Sequence, residues 1–250
     1  MKPQPQEPKR PKTVAIFIAY KAEKTLETFY KDFPQELFDE IILVDDASPD
    51  RTYEIAQKLP MRSYKNPVNL GYGGNMKRAI KLALDSGADA IVDIHPDGEY
   101  LPSAIASALG EVKRGAHLVL GNRFGTNKSV AERGMYFWKI IPIAFLNWLD
   151  RLFLQVPIHD FHQGFRVYTR KLLETTNYEA NSNNYLFSFE LIAQAAYHGL
   201  HVREVPVETK YEGEKRGASL KNSIRYSLGT FTVLAKYILA KIGFKSEIFK

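Results

Sequence analysis

Cysteine is absent from this 250-residue chain. That excludes a disulfide framework and any thiolate-held metal centre, and it suits a reducing compartment. Long apolar runs are missing as well. Two stretches, 140–149 and 226–235, are uncharged for ten residues each, whereas a bilayer-spanning helix needs about 20. The first twelve residues are rich in Pro and Lys with no apolar centre. They lack the pattern of a secretory signal, and 1–12 is expected to be a disordered, weakly basic lead-in. An excess of acid is also missing: 34 Lys and Arg against 28 Asp and Glu leave a net charge of +6. Such a balance suits a protein that handles anionic phosphates or lies near acidic lipid. The basic residues are spread along the chain with no helix-turn-helix, zinc-finger or RNA-recognition signature, so nucleic acid is not an expected partner. Residues 13–250 have ordinary globular content and read as a single domain.

What is present is a set of apolar strands that stop at carboxylates. The run Ala88 to Ile94 reads as a buried strand ended by the turn His95-Pro96-Asp97-Gly98, so Asp97 and Glu99 stand just past its carboxyl end. In open α/β sheets ligands bind there, and acidic oxygens in such a place suit Mg²⁺ or Mn²⁺ holding a diphosphate. A plain solvated acidic turn is the alternative, since turns favour Asp and Gly anyway. A second run, Glu40 to Val44, ends in Asp45 and Asp46, and Ser48-Pro49 has the form of an N-cap opening a helix through Leu59. The third segment, Asn69 to Asn75, is a glycine-rich loop before an expected helix from Met76 to Leu84, its glycines allowing close approach of a ligand. It is neither a P-loop nor a G-x-G-x-x-G fingerprint. Alternating strand and helix patterns through Val119 imply a parallel α/β sheet.

The ordered set Ala19-Tyr20, Val44-Asp45-Asp46-Ala47-Ser48-Pro49-Asp50, Asn69-Leu70-Gly71-Tyr72-Gly73-Gly74 and His95-Pro96-Asp97-Gly98-Glu99-Tyr100 resembles a family 2 glycosyltransferase. Asp160-Phe161-His162-Gln163-Gly164-Phe165-Arg166 is similar to the family's Asp-x-x-x-Gly-Phe-Arg element, and Phe187 to Glu190 and Val205 to Val207 match later landmarks. The similarity runs from about Thr13 to Lys241. It is strongest to the dolichyl- and polyprenyl-phosphate sugar transferases and their soluble bacterial relatives. The resemblance implies an α/β fold of GT-A type, with a mostly parallel central sheet flanked by helices and a helical C-terminal segment. It also implies an enzyme that uses a UDP- or GDP-linked sugar.

The roles it implies are specific. Ala19, Tyr20, Asp45, Asp46, Gly74 and Arg216 would surround the nucleotide sugar, Tyr20 near the base and the two Asp on the nucleoside. Asp97 would hold the Mg²⁺ or Mn²⁺ on the diphosphate with Glu99, and His95 is either a third ligand or, more ordinarily, a structural hydrogen-bonding imidazole. Arg133 and Arg166 would clamp phosphate oxygens, or make structural ion pairs. Asp160 would act as general base or orient the acceptor. A Glu-Asp pair common in hydroxyl-directed relatives is missing, which favours a phosphate acceptor such as a lipid phosphate. A hydroxyl acceptor, a sugar-phosphate nucleotidyltransferase and a non-catalytic binding protein are the other readings. The chain also departs from the family where Pro-x-Tyr-Asn-Glu is usual, reading Ile18-Ala19-Tyr20-Lys21-Ala22.

The surroundings of the site carry their own expectations. The aromatic segment from Met135 through Leu149 is either an interfacial helix resting on lipid headgroups or, more ordinarily, a helix packed on the core or in a homo-oligomer contact. Ile224 to Phe244 is expected to dock as a C-terminal helix with Arg225, Lys236 and Lys241 on its wet side. Lys210 to Ser219 is expected to be a loop that closes over donor phosphates or a plain connector. The expected location is the cytoplasm, peripheral at the inner face of the membrane for a lipid acceptor.

Overall fold

The computed structural model describes residues 10–126, 135, 137–210 and 220–250. Its centre is one seven-stranded sheet: β1 (Thr13–Ala19), β2 (Glu40–Asp45), β3 (Arg62–Lys65), β4 (Ala90–Asp93), β5 (Leu118–Asn122), β6 (Arg166–Thr169) and β7 (Val202–Pro206). The order is β3-β2-β1-β4-β6-β5-β7. Every pairing is parallel except the two made by β6, which runs against β4 and β5. The strands are apolar on both faces because helices cover both. In β1, Val14, Ile16 and Ile18 enter one core while Ala15, Phe17 and Ala19 enter the other, as the two-residue period of a strand requires.

Helices α1 (Leu26–Asp32), α2 (Thr52–Ala56) and α4 (Ile105–Lys113) contribute to one core; α3 (Gly71–Asp85), α5 (Phe137–Leu154), α6 (Arg170–Thr175), α7 (Leu186–Tyr197) and α8 (Leu220–Lys241) contribute to the other. Residues 10–12, expected in the disordered lead-in, are instead tied down. Arg10 pairs with Asp39 at 2.8 Å, and Lys12 bonds Glu40 and the Ser86 carbonyl, each at 2.7 Å.

Two local expectations change. The helix expected from Ser48 begins only at Thr52. Ala47 takes a positive φ of 56°, and the Ser48 hydroxyl accepts the Lys21 N–H at 2.9 Å, so it holds the β1–α1 loop rather than a helix end. Helix α3, in contrast, starts five residues before Met76, at Gly71. Glycine's low helix propensity hides this start, but packing demands glycine there. A Cβ on Gly73 would lie 2.1 Å from the Ser182 carbonyl oxygen, and the Gly73 N–H donates to the Asn183 carbonyl at 2.9 Å. The close approach these glycines permit is to the 182–183 backbone.

Gly73→Ala is therefore expected to lower stability by roughly 1–3 kcal/mol through overpacking. Gly110, inside α4 with only the Arg114 side chain within reach at 3.8 Å, should gain ~0.5–1 kcal/mol as alanine. Urea unfolding midpoints of the two variants check both signs.

Candidate active site

The carboxyl ends of β1, β2, β4 and β5 open on one edge of the sheet. Because β6 is antiparallel, its first residue joins them: Arg166 lies in register with Asp93 of β4 and Leu120 of β5. Acidic strand ends and buried guanidinium groups thus share one rim.

At the β2 end the two neighbouring aspartates do different work. Asp46 accepts the Leu70 and Gly71 N–H groups at 2.8 and 3.0 Å and the Asn66 amide at 2.7 Å. Its carboxylate thereby satisfies free donors at the start of α3 and meets the positive end of the helix dipole. Asp45 accepts the Ser48 N–H on one oxygen at 3.1 Å, with the Lys65 ammonium at 3.9 Å. Its other oxygen is buried with no hydrogen-bond partner, and burial pushes its carboxyl up despite the opposing Ser48 bonds. Ala19 is buried beside it in register, while Tyr20 is 48% exposed at the lip. Gly74 sits in the first turn of α3 near the Asn183 side chain.

The β4 end carries Asp93, which is fully buried. It accepts the Tyr168 hydroxyl at 3.1 Å; its second oxygen stands 3.5 Å from His95 Nε2, where neither atom completes a hydrogen bond. Burial disfavours the charged His95 ring, but Asp93 and Asp97 outweigh it and push the imidazole up. The ring also packs edge-on to Tyr72, 5.6 Å between centroids. Asp97 is exposed and accepts the Glu99 N–H at 3.0 Å. Burial first, and the Asp97 charge second, push the Glu99 carboxyl up. Two carboxylates repelling one another in a half-buried loop form a donor set that a hard divalent cation relieves. Among the described residues no three acidic or imidazole groups form a closed cage. Mg²⁺ and Mn²⁺ suit such an open site, since Mg²⁺ keeps waters and shares its shell with phosphate oxygens.

The third component is the loop from Asp160 to Arg166. Asp160 is fully buried and both its oxygens are taken by Arg123. The Arg123 Nε and backbone N–H donate to Oδ2 at 2.7 and 3.0 Å, and Nη2 donates to Oδ1 at 2.9 Å. Nη2 also reaches the His162 carbonyl at 2.8 Å. Farther along, the Gly164 N–H donates to the Tyr100 hydroxyl at 2.8 Å, and a Cβ at Gly164 would meet the Tyr100 ring at 2.8 Å. Arg166 is buried with Nη1 3.5 Å from the Tyr72 hydroxyl, and its Nε has no hydrogen-bond partner. Burial works against its charge, and the surrounding Tyr72, Tyr168 and Asp93 more than offset that. Tyr72, bonded to the Ser188 hydroxyl at 3.0 Å, is pushed up to about 12, chiefly by burial.

Most of the expected site residues therefore meet on one edge: Ala19, Tyr20, Asp45, Asp46, His95, Asp97, Glu99, Asp160 and Arg166. Arg133 and Arg216 lie outside the described residues, as does most of the expected closing loop. Its base is described: the Lys210 N–H donates to the Glu99 carbonyl at 2.9 Å, and Tyr100 bridges Thr209. Sequence reading overlooked Asp93, Arg123 and Tyr72. A charge inside the apolar run Ile91 to Ile94, and another three residues past the apolar Leu118 to Leu120, were the available signals.

Burial alone would push the Asp160 carboxyl up; Arg123 reverses this and holds it below the usual carboxylate range. A depressed folded-state value means stability that is full above the unfolded value near ~3.9 and lost as pH falls through the folded one. Asp160→Asn, which strands the buried guanidinium, is expected to cost roughly 3–5 kcal/mol at neutral pH. Denaturant titrations of both proteins should show that gap shrinking below about pH 4.

Comparison with known proteins agrees with this architecture. The polyprenol monophosphomannose synthase of Mycolicibacterium smegmatis is 29% identical over 174 residues, 67% of this chain and 65% of that protein. The UDP-N-acetylglucosamine–dolichyl-phosphate N-acetylglucosaminyltransferase of Methanococcus voltae is 26% identical over 246 residues, 91% and 95% of the two chains. Glucosyl-3-phosphoglycerate synthase from Mycobacterium tuberculosis, crystallised with Mn²⁺, UDP and phosphoglyceric acid, superposes with a TM-score of 0.68 at 18% identity, covering 94% of this chain and 80% of its own, a likeness of fold. The glycosyl transferase family 2 model matches residues 14–176. With its GT-A-type sheet, the chain belongs to that family and is a glycosyltransferase.

Proposed function

We propose that this chain is a metal-dependent, inverting transferase that moves a sugar from a nucleoside diphosphate to a lipid phosphate at the cytoplasmic face of a membrane. The observation that carries the acceptor class is the engagement of Asp160. It is the only carboxylate between 160 and 166, and both its oxygens already bind Arg123. A hydroxyl acceptor needs a base as the new bond forms, whereas a phosphate oxygen is already ionised. Asp160 is thus a positioning residue that holds Arg123 and the loop leading to Arg166.

In this reading Tyr20 lies near the base, and the unpartnered oxygen of Asp45 accepts an N–H of the nucleoside. Asp97 and Glu99 would hold the cation, which when bound would supply positive charge for the departing diphosphate. His95, turned toward Asp93 and Tyr72, supports that loop from behind. Arg166, with its buried, unpartnered Nε, meets a phosphate oxygen, and Arg133 and Arg216 are candidates to add cationic cover. The acceptor oxygen attacks C1, the bond from C1 to the diphosphate oxygen breaks, and the configuration at C1 inverts. The names of the two transferases above, acting on polyprenol and dolichyl phosphate, support this acceptor class. The phosphoglyceric acid bound by the structural neighbour supports a soluble acceptor as the second reading.

Calorimetric titration of UDP-glucose, UDP-N-acetylglucosamine and GDP-mannose with and without Mn²⁺ tests the donor site. One donor is expected to bind only with metal, and Asp97→Asn should weaken it at least about tenfold, roughly 1.4 kcal/mol. Incubating that donor with a short polyprenyl phosphate, the matching polyprenol and 3-phosphoglycerate then tests the acceptor. Transfer to the phosphate alone is expected. Transfer only to one of the hydroxyl compounds would overturn the acceptor class, and binding of none of the donors would overturn the catalytic reading.

A further inference from the structure

The outer faces of α5 and α8 are conspicuously apolar. On α5, Trp138, Ile141, Phe145, Trp148 and Leu152 are exposed at helical spacing, Ile141 by 75% and Trp148 by 54%. On α8 and just beyond it, Ile224, Leu228, Phe231, Ile238, Ile242 and Phe244 repeat the pattern, Leu228 by 62% and Ile242 by 66%. The two helices contact one another. Exposed apolar faces of this extent mark an interaction surface. Neither helix is long and apolar enough to cross a bilayer.

Charge selects the occupant. From Leu220 to Ser246 the charged residues are Lys221, Arg225, Lys236, Lys241 and Lys245, with no acid. On α5 the single acid, Asp150, is fully buried and faces His162 Nε2 at 2.8 Å, while Arg151 is exposed. An apolar face with basic companions and no exposed acid on either helix complements a surface of anionic lipid headgroups. A second copy of the chain would bring like charges together.

The inner faces of the same helices hold the active-site loop. The Asn147 side chain of α5 accepts the Phe161 N–H at 2.9 Å, and Asp150 holds His162. From α8, the Tyr226 hydroxyl meets His162 Nδ1 at 3.1 Å. We propose that α5 and α8 form one docking face for an anionic bilayer, seating the chain so that the 160–166 loop lies directly behind the membrane contact. This goes beyond the transfer reaction proposed above and does not depend on it.

Co-sedimentation with phosphatidylcholine vesicles, with and without phosphatidylglycerol and in the absence of donor, tests the face. The protein is expected to pellet with anionic vesicles and to be released by salt. The variants Trp148→Glu and Leu228→Glu alter exposed side chains and leave the core intact, which circular dichroism and donor calorimetry verify. Each should weaken vesicle binding at least about tenfold while donor affinity stays unchanged. Arg225→Gln should weaken binding to anionic vesicles by about fivefold and leave the apolar contact. Unchanged vesicle binding in both glutamate variants would overturn the proposal. So would equal binding to neutral vesicles, or a solution dimer that these variants split in a protein that binds no vesicle. Loss of donor binding with vesicle binding intact would strike the transferase reading alone.

Discussion

The Arg123–Asp160 pair is the interaction on which the rest of the site depends. Taking both charges out of water carries a penalty of several kcal/mol per ion, offset only when geometry and further hydrogen bonds are good. Here the guanidinium forks onto both carboxylate oxygens, the Arg123 backbone adds a third bond, and the His162 carbonyl takes a fourth. Such a pair contributes less to bulk stability than to register. It joins the end of β5 to a loop 37 residues later in the chain, and a displaced loop would leave two charges buried alone. From that anchor the loop has little freedom. Gly164 must fit under Tyr100, and Arg166 must enter β6 opposite Asp93.

The reversed strand is the second consequence. A parallel β6 would place Arg166 at the far edge of the sheet. Running antiparallel between β4 and β5, it delivers a guanidinium to the rim where the other strands deliver carboxylates. The rim then divides by charge, with Asp45, Asp97 and Glu99 toward one part and Arg166, beside the Asp160-paired Arg123, toward the other. In the proposed reaction the acidic part serves the nucleoside and the cation, and the basic part serves phosphate. Buried Asp93 lies between the two, in contact range of both His95 and Tyr168, and in register with Arg166.

Much of this was legible beforehand. β2 and β4 announce themselves as apolar runs cut off by carboxylates, because a buried parallel strand is apolar on both faces and its mouth is polar. Asp46 was legible as a position and not as a role, since the donors it satisfies, Leu70 and Gly71, belong to a helix that glycine propensity conceals. Gly73 reads as a loop glycine until Ser182 is placed against it. Asp160 stood out in the sequence as the carboxylate ahead of Gly-Phe-Arg, but its partner Arg123 is distant in sequence, and only the folded chain shows that its oxygens are already engaged. Nothing in Asp-x-x-x-Gly-Phe-Arg states the sense of the strand that follows. That sense is settled by partners on β4 and β5.

The helices that wrap the loop connect these constraints to the surface. Asn147 and Asp150 of α5 and Tyr226 of α8 point inward to Phe161 and His162, while the opposite sides of both helices expose aromatic and aliphatic residues. A helix seated on lipid is fixed in depth and rotation by its apolar stripe. On the proposed docking face that orientation would pass through the Asn147 amide and the Asp150 carboxylate on α5 and the Tyr226 hydroxyl on α8 to a loop already pinned by Arg123. A lipid phosphate lies at the headgroup plane by its own chemistry, so a site built directly behind a lipid-facing helix pair needs no long channel to reach it. The same arrangement gives a soluble acceptor no advantage, and this is why the docking face and the acceptor class, though tested separately, point in the same direction.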